Sequence, residues 1–237
     1  MDKQNNKFRL KLFVMRINIF VLKPFIYLCI IFLLFSVISM ILVDFDEIHF
    51  FIYNHHSGFL DILFKYSTNL GDGLFAIGTI LVICWLKPLK YVWLGALSFA
   101  VSGILSQFVK KVIFPSALRP IKVYDINKLH LVDGVTVHSL HSFPSGHTAT
   151  AFALFMFLAF VYHKNKVAQY CFAFTAILVG YSRIYLTQHF LIDVIFGALF
   201  GMISFIIANK ITEKWHFAWY NFSLNNKVKK MNEVLMS

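Results

Sequence analysis

Six long apolar stretches, at approximately 25–43, 73–86, 91–113, 146–162, 167–186 and 190–210, constrain this chain more than any other feature. A helix needs about 20 predominantly apolar residues to cross a bilayer. The second stretch reaches that length only if it extends backwards past Gly73, or sits tilted in a bundle. Charged residues make up 14% of the chain, against roughly 25% in a soluble domain. A soluble core of this size could not hide 28 Phe. The expected fold class is therefore all-α: a polytopic membrane protein with six transmembrane helices. The first stretch is too long for a typical signal-peptide core, and no A-x-A-like site follows it, so it is expected to remain as a span.

Lysine and arginine fix the expected orientation. With the N-terminus inside, the inner segments 1–24, 87–90, 163–166 and the tail from Lys210 hold 15 of the 22 basic residues. The positive-inside rule then favours both termini in the cytoplasm. A net charge of +11 follows from this flanking pattern, and no basic stripe with interleaved aromatics suggests nucleic acid. The expected organisation is a basic cytoplasmic N-terminus (1–24), one membrane domain (25–210) and a cytoplasmic tail (211–237). The outer stretch 44–72 is expected along the interface. Its adjacent His55 and His56 make a poor metal pair, since neighbouring residues do not share a face. Cys29, Cys84 and Cys171 fall inside apolar segments and read as packing residues.

Three polar clusters interrupt the apolar pattern, and all three map to the outer face. They are "KKVIFPSALRP" (Lys110 to Pro120), "PSGH" (Pro144 to His147) and "SRIYLTQHFLID" (Ser182 to Asp193). Single charges at span ends can be snorkelling anchors. Convergence from four spans is harder to explain that way. Pro144 suits the first turn of a helix, which would leave the backbone N–H groups of Ser145, Gly146 and His147 free for an anion. Gly146 would let that anion approach closely. His189 and Asp193 are spaced i,i+4 and share a helix face. Asp193 can accept the proton of one imidazole nitrogen and leave the other as an outward lone pair. Arg119, Arg183 and one lysine supply cations suited to phosphate oxygens. Together these groups describe a phosphoryl-transfer site.

"PSGH" followed by "SR-x5-H-x3-D" resembles the type 2 phosphatidic acid phosphatase superfamily, over roughly residues 60–210. The resemblance implies a six-helix membrane bundle, a phosphohistidine intermediate, and neither metal nor other cofactor. It makes His189 the nucleophile, His147 the general acid and Asp193 the residue orienting His189. Arg119, Arg183, Ser145, Gly146 and a lysine would hold the phosphate oxygens. Here the chain departs from the family pattern: six residues separate that lysine from Arg-Pro in the family, whereas seven separate Lys111 from Arg119. Helix phase favours Lys110 instead, because Gly103, Ser106 and Lys110 form one small-and-polar stripe on the third span.

The leading expectation is an integral-membrane lipid phosphatase in the inner (plasma) membrane, with its site on the extracytoplasmic face. Its partners would be the bilayer and a lipid phosphate: phosphatidate, phosphatidylglycerol phosphate, a polyprenyl diphosphate or a lipid A phosphate. A phosphotransferase of the same fold is the alternative. From a different class comes a transporter or scaffold with a vestigial site.

Overall fold

The computed structural model describes residues 19–215 and 217–225. The basic N-terminus through residue 18, and Lys227, Lys229 and Lys230 of the tail, lie outside the described residues. The described residues form helices and turns, with no strand among them. We number the longer helices α1 (Lys23–Leu42), α2 (Phe45–Asn54), α3 (Gly58–Ser67), α4 (Gly73–Leu86), α5 (Leu89–Phe108), α6 (Gly146–Val161), α7 (Lys166–Tyr185) and α8 (Leu191–Lys214).

Helix starts follow local chemistry. Ser57, Asp72, Ser145 and Asn165 each accept a backbone N–H from the first turn they precede, at 3.3, 2.7, 3.4 and 3.0 Å. Such caps satisfy donors that a helix leaves orphaned. Pro24 and Pro88 start α1 and α5 without sacrificing a helical hydrogen bond. At the C-terminal end of α5 the backbone widens into a π-helical turn, Val109–Ile113. Such a turn accommodates an extra residue without ending the helix.

The six expected spans are met unevenly. Among the described residues, four helices are long and apolar enough to cross a membrane: α1, α5 with its π turn, α7 and α8. The second expected span, 73–86, is only the α4 half of a bent pair. α3 and the 3-10 turn Thr68–Gly71 meet α4 at 60°. The outer stretch 44–72 therefore divides, with α2 separate and α3 joined to the second span. The fourth expected span is α6, whose 16 residues rise about 24 Å. That is short of the ~30 Å hydrocarbon thickness.

α6 lies at the centre of the bundle, packed by α5, α7 and α8. Phe152, Ala153, Leu154, Phe155, Met156 and Phe157 are consecutive and all buried, as expected of a helix that is apolar all round and enclosed by others. Close packing here depends on missing side chains: a Cβ at Gly197 of α8 would come within 2.7 Å of the Ser145 carbonyl oxygen. The periphery is the reverse of a soluble surface. Ile31, Leu34, Ile41, Leu42, Leu74 and Ile104 are each more than half exposed, a lipid-facing pattern.

Candidate active site

A cavity of about 540 Å³ opens among the C-terminal ends of α5 and α7, the N-terminal end of α6 and the turn Thr68–Gly71. Lys110, Arg119, Gly146, His147, Arg183 and His189 all line it. Residues far apart in sequence thus meet because the helix ends and connecting segments that carry them gather at one end of the bundle.

His189 is 2% exposed, and its Nδ1 lies 3.2 Å from Asp193 Oδ2. The same oxygen accepts the Phe190 backbone N–H at 3.0 Å and the Ser142 hydroxyl at 2.5 Å. Asp193 therefore stands in the first turn of α8, held from three directions. With Nδ1 turned to the carboxylate, Nε2 is the nitrogen left for substrate. Burial holds the His189 pKa well below its usual value, and the charges of Arg119, Arg183, Lys110 and His147 lower it further. The imidazole is consequently neutral, the form that can attack phosphorus.

The cations are fixed by specific partners. Arg119 Nε donates to the Leu140 carbonyl at 3.0 Å, and Nη1 donates to Gln188 Oε1 at 2.9 Å and the Gln188 carbonyl at 3.2 Å. Gln188 Nε2 donates in turn to the Thr136 carbonyl at 2.8 Å. Burial lowers the Arg119 pKa, and the Asp193 charge opposes that shift. Arg183 Nη1 donates to Thr68 Oγ1 at 2.7 Å, while its buried Nε has no protein partner. Lys110 is 8% exposed and lines the cavity, whereas Lys111 is exposed and does not. On the same helix Ser102 and Ser106 are buried, and both line the cavity together with Gly103.

Ser145 departs from expectation. The helix begins two residues after Pro144, so Ser145 is the cap and Gly146 the first helical residue. The Ser145 N–H donates to the Asp193 carbonyl at 3.0 Å, and its Oγ accepts from the Thr148 N–H and hydroxyl. Ser145 is fully buried and is absent from the cavity wall. The N–H groups that remain at this helix end are those of Gly146 and His147.

Several polar partners have no motif in the sequence. Thr68, Ser142 and Gln188 hold the groups above. His49, fully buried, donates from Nδ1 to the Phe45 carbonyl at 2.7 Å and accepts the Leu191 N–H on Nε2 at 3.0 Å. It thereby caps the helix that carries Asp193. The long loop 114–145 is tied down by His130, whose Nε2 lies 2.7 Å from Asp61 Oδ1, and by Thr187 Oγ1, which donates to the His130 carbonyl. Val135, Thr136 and His138 of that loop form one wall of the cavity. His55 and His56 part company: His55 binds the Phe51 carbonyl and His56 stacks on His130.

The family described as the PAP2 superfamily matches residues 91–217. The lipid A 1-phosphatase of Rhizobium johnstonii is 31% identical over 122 residues, which cover 48% of each chain. The chain thus spans about half the length of this relative. Among solved structures, Aquifex aeolicus LpxE is 28% identical with a TM-score of 0.60, covering 69% of this chain and 93% of that one. A transmembrane PAP2-type phosphatidylglycerolphosphate phosphatase from Bacillus subtilis is 26% identical with a TM-score of 0.54, covering 80% and 96%.

Proposed function

The chain belongs to the PAP2 superfamily, and on that premise we propose that it is a membrane lipid phosphatase. It removes phosphate from a lipid phosphomonoester or diphosphate through a phosphohistidine intermediate, without a metal. One observation carries the proposal. Three cations, Lys110, Arg119 and Arg183, are buried around the cavity, and among the described residues Asp193 is the one buried carboxylate, already committed to His189. Buried charge without a counter-charge is costly, so the pocket is built for a multiply charged anion.

In the proposed reaction His189 Nε2 attacks phosphorus while the bond to the lipid oxygen breaks. His147 gives its proton to that departing oxygen. Water then attacks the phosphohistidine and returns a proton to His147, releasing phosphate and restoring neutral His189. The guanidinium groups, Lys110 and the N–H groups at the start of α6 stabilise charge on the transferring oxygens. They occupy the role a divalent ion would otherwise fill.

A lipid substrate suits the cavity's depth. Its wall descends α5 from Lys110 to Phe99, about 16 Å along the helix axis. A phosphate at the ionic end can thus keep its tail within the bundle's lipid-facing side. We place the site on the extracytoplasmic face of the inner membrane, in a six-span arrangement with both termini inside, because basic residues concentrate on the opposite side. Phosphate release by the purified protein, across phosphatidate, phosphatidylglycerol phosphate, a polyprenyl diphosphate and a lipid A phosphate, tests this function. Release from at least one is expected; release from none overturns it.

A further inference from the structure

The bend in the second span brings a carboxylate to His147. Asp72 sits between the turn Thr68–Gly71 and α4, where its Oδ1 accepts the Leu74 N–H at 2.7 Å. Its other oxygen, Oδ2, lies 4.0 Å from His147 Nε2. Close contact with α6 fixes this placement. A Cβ on Gly71 would come within 2.7 Å of the His147 carbonyl oxygen and 2.6 Å of Val179 Cγ1. Only glycine lets the turn approach so near. The same turn carries Thr68 to Arg183.

The charges around His147 are otherwise of one sign. Arg183 from α7, Lys110 from the π turn and Arg119 from the outer loop all act on it, and Asp72 is the carboxylate that opposes them. His189 and His138 are the further imidazoles lining the same cavity. We infer that Asp72 is the positioning residue of the general acid, holding the imidazolium of His147 with its proton available to the leaving oxygen. This inference rests on the phosphatase reading above and adds a second carboxylate–histidine pair to it. Asp193 serves the nucleophile; Asp72 serves the acid. Both carboxylates stand at helix starts, where the backbone fixes their direction. Asp72 is about half exposed, so water partly screens its charge.

The pair predicts a dependence on leaving group that a merely structural residue would not produce. Departure of an alkoxide from a lipid phosphate needs the proton, whereas a nitrophenolate leaves without much help. Asp72→Asn keeps an N-cap oxygen and removes the charge. With this variant, kcat on dioleoyl phosphatidate should fall about tenfold or more, while kcat on 4-nitrophenyl phosphate stays near the parent value. The alkaline limb of the phosphatidate profile should move down by about one pH unit, the size expected for loss of one partly screened charge partner. Asp72→Glu should recover part of the lipid activity. In a His147→Ala background, Asp72→Asn should cost nothing further, because the two act as a unit.

Equal losses on both substrates, an unmoved alkaline limb, or additive losses in the double variant would each overturn the inference. Those results would leave the phosphatase reading standing. An unmutated protein that releases phosphate from no lipid would overturn both.

Discussion

The Ser142 hydroxyl lies 2.5 Å from Asp193 Oδ2, closer to that oxygen than the His189 imidazole at 3.2 Å. The carboxylate that holds His189 is itself held from the loop preceding α6. A hydrogen bond to a charged group contributes about 1.5–3 kcal/mol, which corresponds to roughly 10- to 150-fold. Ser142→Ala should therefore lower kcat by at least about tenfold with little change in KM, and Ser142→Thr should restore part of it. A raised KM at unchanged kcat would mean that Ser142 acts on binding and not on the nucleophile.

Lys110 and Lys111 should separate cleanly. Lys110 lines the cavity and Lys111 does not. We expect Lys110→Ala to remove most activity, while Lys111→Ala mainly weakens affinity for lipid vesicles. The opposite ranking, measured as kcat/KM, would place Lys111 at the phosphate.

His49 provides a pH test of stability. Burial lowers its pKa below the usual 6.5, and its neutral Nε2 is needed to accept the Leu191 N–H. The unfolded chain thus binds more protons at this residue than the folded one, so stability rises with pH. It should be retained above about pH 6.5 and lost progressively as pH falls below that value. His189 is shifted the same way and adds to the slope. Thermal unfolding in detergent from pH 8 to 5 should show a falling midpoint. His49→Gln, which offers a neutral acceptor, should flatten the curve without abolishing it. A midpoint rising toward pH 5 would contradict the assignment.

Sidedness can be read by thiol labelling. A cysteine in the exposed part of the long outer loop, Asp133→Cys, should react with an impermeant reagent in intact cells made permeable only at their outer envelope. Lys164→Cys, in the turn between α6 and α7, should react only after the membrane is opened. The reverse pattern would turn the site to the cytoplasm. Choice of position matters, because the adjacent Val132 is buried against Ile184 and Tyr185.

What the sequence made legible was local. The i,i+4 spacing of His189 and Asp193 and the Pro-Ser-Gly-His helix start are contained in short segments, so periodicity and capping rules could read them. The stripe ending in Lys110 was legible for the same reason. The Ser145 N–H, expected to be free, is instead bonded to the Asp193 carbonyl, because Pro144 suits more than one position near a helix start and that tertiary contact decided between them. Contacts between distant segments left no pattern to read: Thr68 with Arg183, Gln188 with Arg119, and His49 with Leu191 lie 115, 69 and 142 residues apart. One signal was available and carried more than length. "LGDG", Leu70 to Gly73, places an aspartate between two glycines at the edge of an apolar run, which marks a helix break and a cap. That break accounts for the short second span.

The central claim is that His189 carries the phosphoryl group, and trapping tests it most directly. Protein incubated briefly with a lipid bearing a radioactive phosphate, then denatured in alkali, should retain label that is stable to base and released by acid, as a phosphoramidate is. Peptide mapping should place the label on His189, and His189→Ala should retain none. Label on another residue, or full turnover by His189→Ala, would contradict the account.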